Sequence, residues 1–284
     1  MAKKCASVGG QAVIEGVLMK NGPKIAIAVR RPDKKISVKK EKLKNWSKKH
    51  RWLAWPFIRG TVNLIEMLVL GIKALNYSAN ESLGEDEEKI KPWEFVLTTV
   101  FAIAVAVGLF ILLPLWLTKV TQTEGIVFNL IDGVIRVVIF VLYILLISLM
   151  KDVQRLFEYH GAEHMTVHCY EAGKKLTPAN VKKFSTAHRR CGTTFLLIVL
   201  VISIVIFSLI VTDSFWIKFA GRVVLLPVIA GISYELLKLG AKFPKSTVLN
   251  ILVWPGMALQ SLTTREPDKK QIEVAIKAFN AVVK

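Results

Sequence analysis

The hydrophobic and polar positions of this chain divide into long apolar stretches and charged loops. Residues 95–117 and 192–212 contain no charged side chain, and each is as long as the roughly 20 residues that cross a bilayer. Residues 126–150 and 216–237 are as long but carry a few charges. The pattern therefore predicts a mainly α, polytopic membrane protein with about four transmembrane helices.

Charged residues inside the two less apolar spans need partners or access to water. They are Asp132, Arg136, Lys218, Arg222 and Glu235. Asp132 and Arg136 are four residues apart, so they can pair on one helical face, and a structural pair is the favoured interpretation. Lys218 and Arg222 are predicted to reach the outer membrane surface with their long side chains. A transport pathway built on Asp132, Arg136 and Glu235 is the less favoured alternative.

Alternating apolar and small residues mark the N-terminal region. Residues 9–19 open this region and are followed by a turn signal at Asn21-Gly22-Pro23. The alternation at 25–29 is typical of a strand, and a further short strand is expected at 36–38. We therefore predict a small antiparallel β element on the cytoplasmic side of the membrane.

Two further apolar segments are too short or too charged to be transmembrane spans. Residues 61–75 carry two charges and are predicted to form an interfacial or re-entrant helix. Residues 248–262 are also predicted to be interfacial, with a break at the Trp-Pro-Gly-Met run of 254–257. The last helix should begin near Pro267, which suits a first helical turn. Its apolar stripe is Ile272, Ile276, Phe279 and Val283.

Lysine and arginine are distributed unevenly between the loops, and this bias sets the predicted orientation. Loop 118–125 contains only Lys119 and turn 213–215 contains none, whereas the regions before, between and after the paired spans contain most of the others. We predict a multi-pass membrane protein with both termini in the cytoplasm. The predicted units are a cytoplasmic β-containing region (1–60), an interfacial helix and acidic linker (61–93), transmembrane helices (94–150), a cytoplasmic His/Cys loop (151–191), transmembrane helices (192–240), and an interfacial segment with an amphipathic helix (241–284).

The net charge of +18 follows from the same bias and does not indicate a nucleic-acid partner. The basic run at 39–51 is interleaved with Trp46 and followed by Trp52 and Trp55, which suits an interfacial anchor on anionic lipids. Expected partners are therefore a bilayer with anionic lipids and a membrane protein or a second copy of the chain. His50 is expected to be a surface residue.

Neither the N-terminus nor the cysteine count indicates a secreted protein. No uninterrupted apolar run follows the first basic residues, so no cleaved signal peptide is predicted. Cys5, Cys169 and Cys191 are odd in number and lie on the predicted cytoplasmic side, where a disulfide framework is not expected.

Four of the five histidines and one of the three cysteines lie close together in the sequence. His160, His164 and His168 are four residues apart, so they form one stripe on a helix. His188 and Cys191 are three apart and form a second half-site. Because imidazole and thiolate are the ligands that zinc prefers, we predict a site for zinc or a similar divalent transition metal at the membrane surface.

One ligand pattern in this region points to catalysis. His160-x-x-Glu163-His164 has the order of the inverted zinc-protease motif, in which two histidines hold the zinc and the glutamate polarises water. Three protein ligands would leave a coordination position for that water.

Two other ligand patterns remain open. The spacing that combines His160 and His164 with His188 and Cys191 resembles the N-terminal zinc domain of retroviral integrases, with a histidine where that family has a cysteine. There the zinc is structural, and four protein ligands close the tetrahedron. In the other pattern, the two ligands on the helix are His164 and His168 instead of His160 and His164.

The metal pattern supports two functions that the sequence does not separate. The first is a metal-dependent hydrolase at the cytoplasmic face, with Glu163 as the base and a lipid or a membrane peptide as substrate. The alternative is a non-enzymatic membrane scaffold or membrane-biogenesis factor whose structural zinc holds the cytoplasmic loop. Whether the chain is an enzyme is left open.

Four motifs carry a resemblance to a known family. They are GGQAVIEGV at 9–17, YHGAEH at 159–164, HRRCGT at 188–193 and LTTREPD at 262–268. Together they resemble the signatures of the YqhQ-like bacterial membrane family, a domain of unknown function often labelled a predicted metal-dependent enzyme. The family usually has proline where this chain has Arg189. The resemblance implies that a wider functional surface includes Gly9, Gly10, Gln11, Glu15, Glu163, Arg265 and Glu266.

Overall fold

The computed structural model describes residues 8–43, 51–84, 88–210, 212, 214–243 and 245–283. Three predictions concern residues outside these ranges: the free thiol of Cys5, the interfacial position of Trp46 and the surface position of His50.

The N-terminal region forms the predicted antiparallel sheet, with four strands rather than three. The strands are β1 (Val8–Val13), β2 (Gly16–Asn21), β3 (Lys24–Arg30) and β4 (Ile36–Lys42), and each pairs with the next in sequence. Residues 9–19, which were expected to begin the β element, form a hairpin, because a tight turn separates β1 from β2. Glu15 lies in that turn, with a φ of 52°.

Most of the remaining chain is helical. The helices are α1 (Ile58–Ser82), α2 (Pro92–Val120, with a π-helical turn at Gly108–Leu112), α3 (Gly125–Ile147), α4 (Lys151–Glu171), α5 (Pro178–Val181), α6 (Gly192–Phe207), α7 (Phe215–Lys242), α8 (Thr247–Thr263) and α9 (Lys269–Val283). The prediction of a mainly α protein with a small β element is confirmed.

Three helices in the described part of the chain are long and apolar enough to cross a membrane: α2, α3 and the segment Phe215–Gly240 of α7. The fourth predicted span, α6, is a shorter apolar helix of 16 residues. It ends at Phe207 and is followed by a turn, so the predicted span of 192–212 is too long. The protein therefore has the architecture of a membrane protein, with three full-length apolar helices and one short one.

Three of the charges predicted inside the spans, Asp132, Arg136 and Arg222, form one buried network, whereas Glu235 pairs with Arg59 at 2.5 Å. Arg136 donates to Asp132 Oδ2 at 2.6 Å, as the four-residue spacing predicted. Arg222 does not reach the surface as expected: it is 1% exposed and donates to the other oxygen, Asp132 Oδ1, at 2.7 Å. Lys218 is also buried, with its Nζ 3.6 Å from the ring centroid of Phe128. Arg136 occupies only one oxygen of the Asp132 carboxylate, so the other oxygen can hold Arg222 inside the bundle.

Helix continuity bears on the site at two places. The second predicted span, α3, and the helix with the histidine stripe, α4, are separate, because the chain breaks between them at Met150, which has an extended backbone (φ −74°, ψ 129°). The carbonyl of Ser148 exposed by this break accepts hydrogen bonds from Gln154 and Arg265. Conversely, α8 is continuous through Pro255, where a break was expected.

Helices cover both faces of the sheet. On one face, apolar residues of β1 to β3 pack against α4 and α9 around Tyr159 and Phe279, both fully buried. On the other face, Val13 and Leu18 pack against Leu70 and Ala74 of α1, which is longer than predicted. The predicted apolar stripe of α9 is confirmed, since Ile272 is fully buried in the same cluster. This sandwich places the histidine-bearing helix beside the edge strand β1.

Candidate metal centre

Helix α4 and the start of α6 bring three potential metal ligands together. His160, His164 and Cys191 each offer one ligand atom, and these three atoms lie within 4.8 Å of one another. The Sγ of Cys191 is 3.3 Å from His160 Nε2. His160 and His164 are one helical turn apart, and Cys191 is the N-cap residue of α6. Two imidazoles and a thiol are a donor set that fits a zinc-class ion.

Backbone carbonyls hold both histidines of this trio in the orientation that metal binding requires. His160 Nδ1 donates to the carbonyl of Thr263 at 2.8 Å, and His164 Nδ1 donates to that of Thr186 at 2.5 Å. A ring nitrogen that faces a carbonyl carries the hydrogen, so Nε2 keeps its lone pair in each ring. This is the outer hydrogen bond that metal-binding histidines usually make.

The remaining two histidines form a separate group with Glu171. His168, Glu171 and His188 have ligand atoms within 4.8 Å of one another. Here His188 Nδ1 accepts from the backbone N–H of Arg190 at 3.2 Å, and its Nε2 lies 3.5 Å from Glu171. Burial lowers the pKa of His188 to about 3, with smaller contributions from His168 and His164. A neutral ring in this tautomer donates to Glu171, so both its nitrogens are engaged by protein groups.

The five predicted ligands therefore do not lie in one cluster. The structure groups Cys191 with His160 and His164, whereas His188 is on the side of His168, with its ring centroid 5.6 Å from that of His164. The four-ligand pattern with integrase-like spacing would need His188 to release the contacts to Arg190 and Glu171.

Glu163 lies buried between the trio and the sheet. It is 4% exposed, and its Oε2 is 3.4 Å from His164 Nε2. Burial raises the pKa of Glu163 to about 7, against the opposing influence of His160 and a hydrogen bond from the backbone of Gly10. A Cβ at Gly10 would lie 3.0 Å from Glu163 Cγ and 2.3 Å from the carbonyl oxygen of Leu18. Only glycine therefore fits between β2 and the Glu163 side chain.

A cleft of about 780 Å³ opens onto the trio and Glu163. It is bounded by the edge strand β1, by α1 and α4, and by the ends of α6 and α7. Its apolar walls include Leu64, Met67, Phe195 and Leu237, and polar groups include Gln11, Asn63, Arg190 and Tyr234. The trio and Glu163 thus line a cleft that is partly formed by membrane-type helices.

Only some residues of the functional surface that the family resemblance implies line this cleft. Gly9, Gly10 and Gln11 line it, but Glu15, Arg265 and Glu266 do not. Glu15 forms a two-pronged ion pair with Arg155 on α4 and accepts from the hydroxyl of Tyr159 at 3.2 Å. Glu15 therefore ties the β1–β2 turn to α4 rather than facing the trio.

Arg265 supports α4 mainly through its backbone. Its N–H donates to the carbonyl of Phe157 at 3.0 Å, and a Cβ at Gly161 would lie 2.1 Å from the Arg265 carbonyl oxygen. The absence of a side chain at Gly161 thus allows the backbone of Arg265 to approach α4 closely. Glu266 is exposed beside it.

Gln260 is a positioning residue that the sequence did not single out. It is fully buried on α8 and hydrogen-bonds both the N–H and the carbonyl of His188, as well as the hydroxyl of Thr194. It thereby fixes the segment that presents Cys191. The available signal was a lone amide inside the apolar stretch 248–262.

Comparison with known proteins identifies relatives without an assigned function. Residues 55–284 match the family described as "Protein of unknown function (DUF1385)". The chain is 34% identical to the "Uncharacterized protein YqhQ" of Bacillus subtilis (strain 168), over 97% of this chain and 92% of that protein. No solved structure matches the chain significantly. The chain belongs to the DUF1385 family, which confirms the YqhQ-like resemblance of its four motifs.

Proposed function

We propose that this chain is a metal-dependent hydrolase of the bacterial cytoplasmic membrane, with His160, His164 and Cys191 holding a zinc-class ion. The observation that carries the proposal is the preorganised trio: its two histidines have their outer nitrogens bonded to carbonyls and their inner nitrogens near one thiol. Three protein ligands leave one position for water or substrate. The trio also opens onto a cleft large enough for a substrate.

Glu163 has the position that the base of a hydrolase requires. A zinc-class ion in the trio would act as a Lewis acid and make water acidic near neutral pH. Glu163 borders the cleft, and its carboxylate is held by the backbone of Gly10 on one side. It can accept the proton of an attacking water and return it to the leaving group without itself being part of the trio.

The walls of the cleft support a substrate drawn from the membrane. Tyr234 and Leu237 belong to α7, and Phe195 belongs to the first turn of α6. These helices continue away from the cleft as apolar segments. A lipid or the membrane-proximal part of a protein can reach the trio along them.

The first experiment tests whether the site has an open position. Full-length protein is purified in detergent without chelators and its ion is replaced by Co²⁺, whose visible spectrum reports coordination. We expect a thiolate charge-transfer band that disappears in Cys191→Ser, and a spectral change when acetohydroxamate is added. A Co²⁺ spectrum that does not respond to acetohydroxamate would indicate a closed site and contradict the hydrolase.

The second experiment tests Glu163 in cells. Glu163→Gln preserves size and hydrogen bonding but removes the base, so this variant should keep its expression level and metal content while failing to complement a deletion strain. Glu158→Gln is the matched control on the same helix, because Glu158 faces Gln271 rather than the cleft. Full complementation by Glu163→Gln at normal expression would rule out Glu163 as the base.

A structural zinc in a membrane scaffold is the second candidate. It is favoured by one observation: the trio joins α4 to the start of α6 across the loop that contains α5, so an ion there would stabilise the fold. The same Co²⁺ experiment separates the two functions, because a scaffold needs no exchangeable position.

A further inference from the structure

We infer that the substrate of the proposed hydrolase is a membrane phospholipid, whose phosphate binds to Lys20 on the face of the sheet that packs against α1. This inference rests on the proposed function, because it names the substrate class of the same cleft. Its basis is a cleft that reaches both faces of the sheet, a half-buried lysine without an anionic partner among the described residues, and open space beside that lysine.

The cleft reaches both faces of the sheet at the edge strand β1. Successive side chains of a strand point to opposite faces. A Cβ at Gly10 would lie 3.0 Å from Glu163 Cγ, so this position faces α4, whereas the amide of Gln11 lies against Gly71 of α1. Gly10 and Gln11 both line the cleft. One ligand can therefore contact the trio on the α4 face and other residues on the α1 face.

Lys20 is a half-buried cation on the α1 face of the cleft. Its Nζ is 3.6 Å from the sulfur of Met67 on α1, and a thioether is a weak acceptor. No carboxylate of the described residues pairs with it. Glu163 is the one acidic residue among the described residues that line the cleft, and it lies on the α4 side. An anionic group of a ligand would supply the charge partner that a half-buried ammonium requires.

The space beside Lys20 is open because residue 9 is glycine. Gly9 is directly opposite Lys20 in the β1–β2 pair, and directly opposite residues point to the same face of a sheet. A Cβ added at Gly9 would meet no atom within 4 Å, and its φ is not in the left-handed region. The fold therefore does not require glycine at this position, whereas a ligand beside Lys20 would use the space.

Gln11 adds an uncommitted amide to the same face. A Cβ at Gly71 would lie 2.7 Å from Gln11 Nε2, so the bare surface of α1 accommodates the amide. Glycine inside a helix is destabilising relative to alanine, so this accommodation has a cost for α1. The amide has no hydrogen-bond partner among the described residues. Its N–H groups can therefore donate to a ligand in the cleft.

A tyrosine of α7 offers a third kind of donor. Asn63 Nδ2 donates to the hydroxyl of Tyr234 at 3.0 Å, so Tyr234 keeps its own O–H for another acceptor. Both residues line the cleft. Lys20, Gln11 and Tyr234 thus present an ammonium, an amide and a hydroxyl to one cleft. Phosphate accepts several hydrogen bonds at once and is commonly bound by lysine.

The apolar walls favour a lipid over a free phosphate compound. Leu64 and Met67 of α1, Phe195 of α6 and Leu237 of α7 line the cleft, and α7 continues as a membrane-type helix. The volume of about 780 Å³ is within the roughly 300–1,000 Å³ of small-molecule sites. The cleft can therefore hold a headgroup while the acyl chains follow the apolar helices.

The edge strand favours a lipid over an extended peptide. A peptide that bound along β1 would need a row of main-chain donors and acceptors. The N–H of Gly10, at the centre of this strand, already donates to Glu163. A phospholipid does not need such a row, since a charged headgroup and apolar walls are enough to hold it.

Calorimetric titration of the full-length protein in a non-ionic detergent tests the site. The protein is Glu163→Gln loaded with Zn²⁺, so that the ligand is not hydrolysed. The probes are dihexanoyl phosphatidylglycerol and dihexanoylglycerol, which share their acyl chains but differ in the phosphate headgroup. We expect phosphatidylglycerol to bind at least about tenfold more tightly, as one charge-assisted hydrogen bond provides. Equal affinities for the two probes would overturn the inference.

Substitution of Lys20 in the same protein tests the assigned residue. Lys20→Met keeps the length of the side chain and should weaken phosphatidylglycerol binding by about tenfold, whereas Lys20→Arg should preserve it. Lys24→Met is the matched control, because Lys24 is exposed on β3 and does not line the cleft. It should change the affinity by less than about twofold. Equal effects of Lys20→Met and Lys24→Met would overturn the inference.

Gly9→Val gives a second variant that does not depend on removing a charge. Valine suits a strand and would fill the space beside Lys20, so the affinity for phosphatidylglycerol should fall by about tenfold. Unchanged metal content and unfolding temperature would show that the fold is intact. Unchanged affinity in Gly9→Val would overturn the assigned position of the headgroup.

Competition experiments identify the source of the anionic group. Inorganic phosphate at the concentration of the lipid should not displace phosphatidylglycerol, because it lacks the acyl chains that the apolar walls hold. Displacement at equal concentration would overturn the lipid in favour of a soluble phosphate compound. An apolar tetrapeptide with a free carboxylate should bind more weakly than the lipid. Tighter binding of the peptide, lost in Lys20→Met, would overturn the lipid in favour of a peptide.

The outcomes distinguish this inference from the proposed function. Lipid binding that is indifferent to Lys20→Met, with a cobalt site that responds to acetohydroxamate, would overturn the phospholipid and leave the hydrolase standing. Binding that depends on Lys20 in a protein with a closed cobalt site would remove the hydrolase, and with it the role of the lipid as substrate.

Discussion

The side-chain amide of Gln260 holds the backbone of His188 at two points. Its Oε1 accepts from the His188 N–H at 2.8 Å, and its Nε2 donates to the His188 carbonyl at 3.0 Å. The same Nε2 reaches the hydroxyl of Thr194 at 2.9 Å. Gln260, on α8, thus positions the backbone that leads to Cys191, although its own side chain is not one of the proposed metal ligands.

Replacing this amide should therefore weaken metal binding. Gln260→Leu keeps the approximate volume but leaves the His188 N–H and carbonyl buried without partners, at a cost of roughly 1–3 kcal/mol in unfolding free energy. We expect metal affinity to fall by about tenfold to 100-fold, as for other residues that support metal ligands indirectly. Ser261→Ala, at the exposed neighbouring position, is the control. Competition with a zinc-sensitive dye measures the affinity, and equal affinity in both variants would contradict this role.

Single histidine substitutions should reveal which ligands hold the metal. His164→Ala should remove the ion, because its Nε2 belongs to the trio with Cys191, whereas His168→Ala should retain about one ion per chain. Both histidines are on α4 and both are hydrogen-bonded to backbone carbonyls, so the pair is well matched. Elemental analysis of protein purified without chelators provides the measurement. Loss of metal in His168→Ala with retention in His164→Ala would place the ion at the other cluster.

Removal of the metal should loosen the region around the trio. Because the trio joins α4 to the start of α6, its binding energy becomes stability of that junction. A chelator should speed amide exchange at the N-terminal turn of α6 and leave the far end of α2 unchanged. Readdition of Zn²⁺ should restore protection. Exchange that is identical with and without chelator would show that the junction is stable by itself.

The predicted orientation can be tested from outside intact cells. Ala179 and Thr121 are both exposed, on opposite sides of the membrane if the lysine and arginine bias is obeyed. A cysteine introduced at Thr121 should react with a membrane-impermeant maleimide, whereas one at Ala179 should react only after lysis. The chain without an introduced cysteine gives the background. Labelling at Ala179 in intact cells, with none at Thr121, would reverse the orientation.

The buried charge network should be essential to the helix bundle. Asp132→Ala leaves Arg136 and Arg222 without the carboxylate that each contacts, and breaking a buried ion pair from one side costs roughly 3–5 kcal/mol. We expect a clear fall in the thermal unfolding temperature in detergent. Glu124→Ala, exposed at the start of α3, should have little effect. Equal unfolding temperatures for Asp132→Ala and the unmodified chain would show that the network is dispensable.

The spacing of residues in the sequence was sufficient to predict contacts between side chains of the same helix. The spacing of His160 and His164 places them on one face, and the spacing of Asp132 and Arg136 allows their pair, whatever the rest of the chain does. Both relationships are present in the structure.

Contacts between distant elements could not be read in the same way. Whether Cys191 or His188 joins the first pair depends on how α8 holds the loop, which no local pattern encodes. Arg222 was placed at the surface because its partner Asp132 is 90 residues away. The break after α3 likewise depends on a distant residue, since Arg265, near the other end of the chain, donates to the carbonyl of Ser148.

The short length of α6 has a consequence for the surrounding bilayer. Its 16 residues rise roughly 24 Å, less than the ~30 Å of a hydrocarbon core that its neighbours α2 and α3 can span. This hydrophobic mismatch is relieved by local thinning of the bilayer or by polar groups at the ends of the helix. Cys191 lies at one end, and Ser203 bonds to Arg136 near the other. Thinning at this end of α6 would let water reach the His160–His164–Cys191 trio at a depth where the longer helices face lipid.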